Sequence, residues 1–185
     1  MQRDLVVRAR EGDHDAFSEL AAGSIERLLR LARLIVRDPD RADDAVQDAL
    51  VTAWLDIRGL RDPDRFDAWL YRVLVRACYR TARRDRRRSV AEVPLLPIDA
   101  GTEPDSEQTV ALRDQLDRGF RRLPVDQRAV LVLHHYLSLP DRETADVLGV
   151  PIGTVKSRLH RATAALRAAL EADEREAGYG QESMA

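Results

Sequence analysis

With a single cysteine, Cys78, the chain cannot form an intramolecular disulfide, and no Cys/His spacing resembles a zinc site. Aromatic residues make up only 5% of the sequence, which disfavours a sandwich or barrel, whose strands are rich in them. The N-terminal stretch Met1-Gln2-Arg3-Asp4-Leu5-Val6-Val7-Arg8 lacks the apolar core of a signal peptide. The longest purely apolar runs are a few residues, far short of the roughly 20 that a membrane helix needs. No glycine-rich phosphate loop is present, and the acids sit at helix starts and in one connecting stretch rather than in a metal-holding group. The expectation is a cytoplasmic protein with no membrane insertion, no cofactor, no metal and no catalytic residues.

Charge is plentiful, at 34% of residues, but its formal sum of -2 hides a strong asymmetry. Arg72, Arg76, Arg80, Arg83, Arg84, Arg86, Arg87 and Arg88 are opposed only by Asp85, whereas Ser89 to Val110 holds Glu92, Asp99, Glu103, Asp105 and Glu107 and no Lys or Arg. A basic block beside an acidic one points to a polyanion partner and a separate tether.

A chain of 185 residues suits one large domain or two small helical ones, and the periodicity favours two. From Asp13 to Arg88 the pattern is helical: Leu28, Leu31, Leu34 and Ile35 recur at three- and four-residue steps, as do Val46, Leu50 and Trp54. Asp38-Pro39 reads as a helix start, with an N-cap acid and then proline at the first helical position. Asp40, Asp43 and Asp44 follow at the positive end of the dipole. Gly59 and Asp62-Pro63 mark a loop, and Asp64 to about Arg87 reads as one long helix burying Phe66, Trp69, Leu70, Val73 and Ala77. Pro94, Pro97, Gly101 and Pro104 make residues 89–111 a linker. Helical periodicity returns with Leu112, Leu116 and Phe120 as one face. Leu123-Pro124 then breaks the chain, and a second helix runs from Asp126 through Leu137. The expected units are residues 1–88 and 112–170, with 171–185 a frayed tail.

Ala145, Gly149 and Val155 stand at the spacing of a helix-turn-helix. The small residue allows close crossing, the glycine takes a left-handed turn, and the β-branched residue packs back. Pro151 falls near the first turn of the second helix, whose buried face would be Val155, Leu159, Ala162 and Leu166. The opposite face carries Lys156, Ser157, His160 and Arg161, which can donate to base edges in a major groove. Arg161 is the candidate for a bidentate contact to guanine, and Thr154 and Arg158 lie nearer the flanks, where phosphate passes.

The run from Leu139 to Ala162, with its string Gly153-Thr154-Val155-Lys156-Ser157-Arg158-Leu159-His160-Arg161-Ala162, resembles region 4.2 of the extracytoplasmic-function (group IV) sigma factors of bacterial RNA polymerase. Leu123-Pro124-Val125-Asp126-Gln127-Arg128-Ala129-Val130 is similar to their region 4.1. Gly12-Asp13 with Asp15-Ala16-Phe17 and Leu20 resembles the family's opening. The stretch Ala42 to Leu50 with Trp54 resembles region 2.2, and Arg65-Phe66-Asp67-Ala68-Trp69-Leu70-Tyr71-Arg72 the entry to the region 2.4 helix.

The resemblance implies an all-α protein of two small domains, σ2-like and σ4-like, joined by an acidic connector that follows the polymerase channels. It implies a promoter-directing subunit with three kinds of partner: core polymerase through the β′ clamp and β flap, promoter DNA, and an anti-sigma factor. Lys156, Ser157, His160 and Arg161 map onto the family's -35 readers, and Asp43, Asp44, Gln47 and Asp48 onto its clamp contact. An acid-rich helix start also satisfies the dipole, so Asp43 carries both readings; Gln47 has no such role. The -10 element falls to the loop from about Asp56 to Asp64 and to the long helix, giving Arg58, Arg61, Arg65, Arg76, Arg80, Arg83 and Arg84. Phe66 and Trp69 resemble stacking platforms, but their spacing puts them in the core. Arg76 and Arg80 depart from the family's usual Asn and Asp, and Asp141 stands where an aromatic is frequent.

Two other functions fit parts of the sequence. A free-standing helix-turn-helix regulator needs a dimer whose half-sites lie about one helical turn apart, yet no apolar heptad seam is evident and the first half would go unexplained. A nucleic-acid enzyme needs a metal cluster or phosphate loop of the kind already missed above.

Overall fold

The computed structural model describes residues 1–85 and 107–182, and no strand occurs among them. The first half contains α1 (Gln2–Arg10), α2 (His14–Val36), α3 (Pro39–Asp56), two single 3-10 turns (Ile57–Gly59 and Pro63–Arg65) and α4 (Phe66–Asp85). The second contains α5 (Glu107–Arg122), α6 (Val125–Leu131) running into a π-turn (Val132–Tyr136), α7 (Asp141–Leu148) and α8 (Ile152–Glu182).

Local chemistry sets these ends. Asp13 caps α2, its carboxylate accepting the N–H groups of Asp15 and Ala16, both at 3.0 Å. Those backbone donors, with Arg8 at 2.6 Å, hold the Asp13 carboxyl below its ordinary value. Asp38 caps α3 through the Arg41 N–H at 3.1 Å, with Pro39 at the first helical position. Between them α2 ends on Arg37, a left-handed residue at φ 65°.

The first half's core is drawn from α1 to α4, with Leu28, Leu31, Ile35, Ile57, Phe66, Leu70 and Leu74 all but sealed. Each such side chain contributes about 1.5–3 kcal/mol by leaving water. The helix α1 is short and mostly polar; Val6 and Ala9 alone anchor it as fully buried residues, which is why periodicity did not mark it. In α4 the expected stripe of Phe66, Leu70, Val73 and Ala77 is buried and Trp69 is half-buried. Tyr71, Val75 and Cys78 are also buried, so α4 is enclosed on more than one side.

The second half supplies that enclosure. Ala129, Val132 and Leu133 of the α6 segment and Val147 of α7 belong to the same buried cluster as Leu70, Leu74 and Val75 of α4. A separate cluster of Leu123, Val130, Leu131, Ala145, Val155 and Ala162 holds the second half to itself. Arg37 and Asp117 of α5 form a buried ion pair across the seam, and Arg65 reaches Asp146 of α7 at 3.7 Å near the surface. Burial brings the Arg37 and Arg128 guanidinium groups down to about 10, with Arg121 and Arg128 adding like-charge repulsion at Arg37. Burial likewise pushes the Cys78 thiol and the Tyr79 phenol up to about 12.

Three expectations change. Leu112 is 54% exposed, so the α5 face begins at Leu116. The α5 helix lies tightly against α8 at Gly119, where a Cβ would lie 2.8 Å from Leu166 Cδ1. Of the expected linker, residues 89–106 lie outside the described residues, as do Arg86, Arg87 and Arg88, while 107–111 already open α5. The stretch expected to fray from 171 continues α8 through Glu182. Its Ala, Glu and Arg content favours helix, and buried Asp173 is fixed by Arg122 at 2.6 Å and Arg118 at 3.0 Å.

Candidate nucleic-acid interface

Gly149 makes the turn between α7 and α8 at φ 68° and ψ 38°, and its N–H donates to the Ala145 carbonyl at 2.8 Å. Val155 and Ala162, both fully buried, press one face of α8 onto the second half's own core, with Leu159 and Leu166 packed beside them. The face turned away carries Lys156, Ser157, His160 and Arg161, all exposed.

Ser157 Oγ donates to the Thr154 carbonyl at 3.0 Å, and Arg161 Nε donates to the Ser157 carbonyl at 3.2 Å. These bonds lay the side chains along the helix, and Arg161 stays exposed. From Val150 to Leu170 the sequence contains no acid, so the permanent charges on the face are the cations of Lys156 and Arg161, with the Ser157 hydroxyl and the His160 imidazole between them. Thr154 is half-buried. Arg158, expected beside phosphate, is half-buried and turned back toward Asp126 of α6 at 4.0 Å, where it also faces Tyr79 of α4. It therefore sits between the halves.

One exposed residue belongs to this surface without having been singled out. Ile152, the first residue of α8, is 44% exposed. The signal for Ile152 was its place one turn before Lys156 on the same helical row.

On the first half, Arg58, Arg61 and Arg65 around the two 3-10 turns and Arg76, Arg80, Arg83 and Arg84 along α4 are exposed. The face of α4 covered by the second half is the one with Cys78 and Tyr79, which leaves Arg76, Arg80, Arg83 and Arg84 on the open side, while Arg65 lies 3.7 Å from Asp146 of α7. Phe66 is buried and lies 6.0 Å from the half-buried Trp69 ring, so Phe66 offers no open stacking surface. Asp43, Asp44, Gln47 and Asp48 are exposed along α3. Asp43 lies 3.6 Å from Arg33, and Asp48 lies 4.0 Å from Arg84, loose surface pairs that hold neither acid firmly. The same row continues into Val51 and Leu55, 56% and 70% exposed, an apolar extension that helical spacing from Asp44 and Asp48 would have shown.

No group of His, Cys, Asp and Glu suited to a metal ion occurs among the described residues, and no helix among them is long and apolar enough to cross a membrane.

Residues 24–88 match the family described as Sigma-70 region 2, and residues 113–166 match Sigma-70, region 4. The chain is 37% identical over 157 residues to the ECF RNA polymerase sigma factor SigM of Mycobacterium tuberculosis, covering 84% of this chain and 77% of that protein. It is 38% identical over 157 residues to the RNA polymerase sigma-E factor of Streptomyces avermitilis, covering 84% of this chain and 85% of that one. The solved structure of CnrH in complex with the cytosolic domain of CnrY superposes with a TM-score of 0.64 at 29% identity, covering 93% of this chain and 98% of that chain.

Proposed function

The chain belongs to the extracytoplasmic-function sigma factors, which direct RNA polymerase to specific promoters and start transcription there, and on that premise we propose how its two halves divide the work. The α8 face of Lys156, Ser157, His160 and Arg161 reads the -35 duplex in the major groove, with Arg161 bidentate to a guanine. Arg58, Arg61 and Arg65 at the 3-10 turns, with Arg76, Arg80, Arg83 and Arg84 of α4, hold the -10 strand by its phosphates once it opens. The α3 row of Asp43, Asp44, Gln47 and Asp48, ending in Val51 and Leu55, takes the β′ clamp, and the second half takes the β flap.

The observation that carries this reading is the acid-free cationic face of α8, exposed along its length while Val155 and Ala162 are sealed beneath it. The protein works in the cytoplasm with core polymerase and contributes binding, not chemistry: the polymerase makes the RNA bonds. Control falls to a separate anti-sigma partner; the similar chain CnrH is itself found in complex with the cytosolic domain of a second protein, CnrY.

Run-off transcription with purified core polymerase and fragmented genomic DNA tests the proposal. Discrete transcripts that need this chain, and that disappear when Lys156 and Arg161 are both changed to Ala, are expected. Transcription that begins at no discrete site, or discrete sites untouched by the double change, would overturn it.

A further inference from the structure

We infer that the leading turn of α8, Ile152 with Gly153 behind it, reads the methyl group of a thymine in the -35 duplex, an inference that rests on the function proposed above. Ile152 opens the helix at 44% exposure and belongs to neither buried cluster. Ile152, Lys156 and His160 follow one another at four-residue steps, so the apolar side chain ends the same row as two of the donors. In a helix laid into the major groove, the N-terminal residues reach the base edges first. Of the groups displayed there, only the thymine C5-methyl suits an apolar contact. An isoleucine stiff at χ1 makes that contact with little entropy to lose.

Gly153 points the same way. Glycine is a poor helix former, and nothing in the fold calls for it: a Cβ at this position would meet no atom within 4 Å. A glycine unneeded for packing inside leaves the backbone of this turn free to come close to a surface outside.

The test uses reconstituted holoenzyme and a promoter duplex chosen by sequencing the transcripts that it starts. Each -35 thymine is replaced singly by deoxyuridine, which removes the methyl group and nothing else. Wild-type holoenzyme should bind one such duplex about three- to fourfold more weakly, the worth of one buried methyl group. The Ile152→Ser holoenzyme should bind that duplex and its thymine parent equally, at the weaker level. Gly153→Ala should raise the melting temperature of the free protein and weaken binding to every promoter tested. A wild type indifferent to all deoxyuridine changes overturns the inference, as does an Ile152→Ser variant that still loses the same factor. A -35 element without A·T pairs also overturns it. In each of these cases a loss of binding in Arg161→Ala keeps the -35 role of α8, whereas a wild-type holoenzyme that starts no transcripts removes that role as well.

Discussion

Asp117→Ala would leave Arg37 buried at the seam between the halves, facing the like charges of Arg121 and Arg128. Removing one partner of a buried ion pair typically costs about 3–5 kcal/mol, because the other charge stays behind unpaired. Arg37 has no easier escape. Burial lowers its pKa from the ordinary value, but a guanidinium still keeps its proton at neutral pH. The reverse change should be milder. Arg37→Gly removes the buried charge and relieves a left-handed backbone at φ 65°, worth roughly 1 kcal/mol. It also leaves Asp117 with Arg121 at 2.9 Å. Urea unfolding followed by far-UV circular dichroism should therefore show Asp117→Ala losing at least about 3 kcal/mol and Arg37→Gly less than about 2. Equal losses for the two variants, or a loss under about 1 kcal/mol for Asp117→Ala, would refute the reasoning that a desolvated charge governs the seam.

Cys78 gives a pH signature. Its thiol is raised from 9.0 to about 12 in the folded chain, so the stability it contributes is complete below pH 9 and is lost as pH rises toward the folded value. From about pH 10 that loss should run close to about 1.4 kcal/mol per pH unit, and Cys78→Ala should flatten the slope in a urea titration repeated across pH. Arg161→Ala should cost about 1–3 kcal/mol of promoter binding and relax preference at one -35 position, read by selection from randomised duplexes. Gly149→Val should cost about 1–2 kcal/mol through backbone strain alone, since a Cβ there meets open space, and Gly149→Asn distinctly less; thermal melting compares the two.

The helix starts at Asp13 and Asp38 and the Gly149 turn were legible because each depends on residues within a few positions of itself. The same holds for the exposed α8 row of Lys156, Ser157, His160 and Arg161, whose buried and open faces follow from helical spacing once Val155 is placed inside. What the sequence hid depends on partners far along the chain. One-sided periodicity could not show that α4 is covered by α6 and α7, because the covering residues lie beyond the acidic stretch. Arg158 reads as a free cation until Asp126 and Tyr79 are placed beside it. Residues from Glu171 onward read as tail because Asp173 finds its arginines on α5, more than fifty positions earlier.

Since Ala129, Val132, Leu133 and Val147 sit in the core built by the first half, the halves adhere through side chains as well as through the peptide that joins them. Joining the halves in one chain raises their local concentration, turning an encounter between two molecules into a docking within one. Cleavage between Asp85 and Glu107 would leave two fragments that still recognise each other, paired at high concentration and separating on dilution.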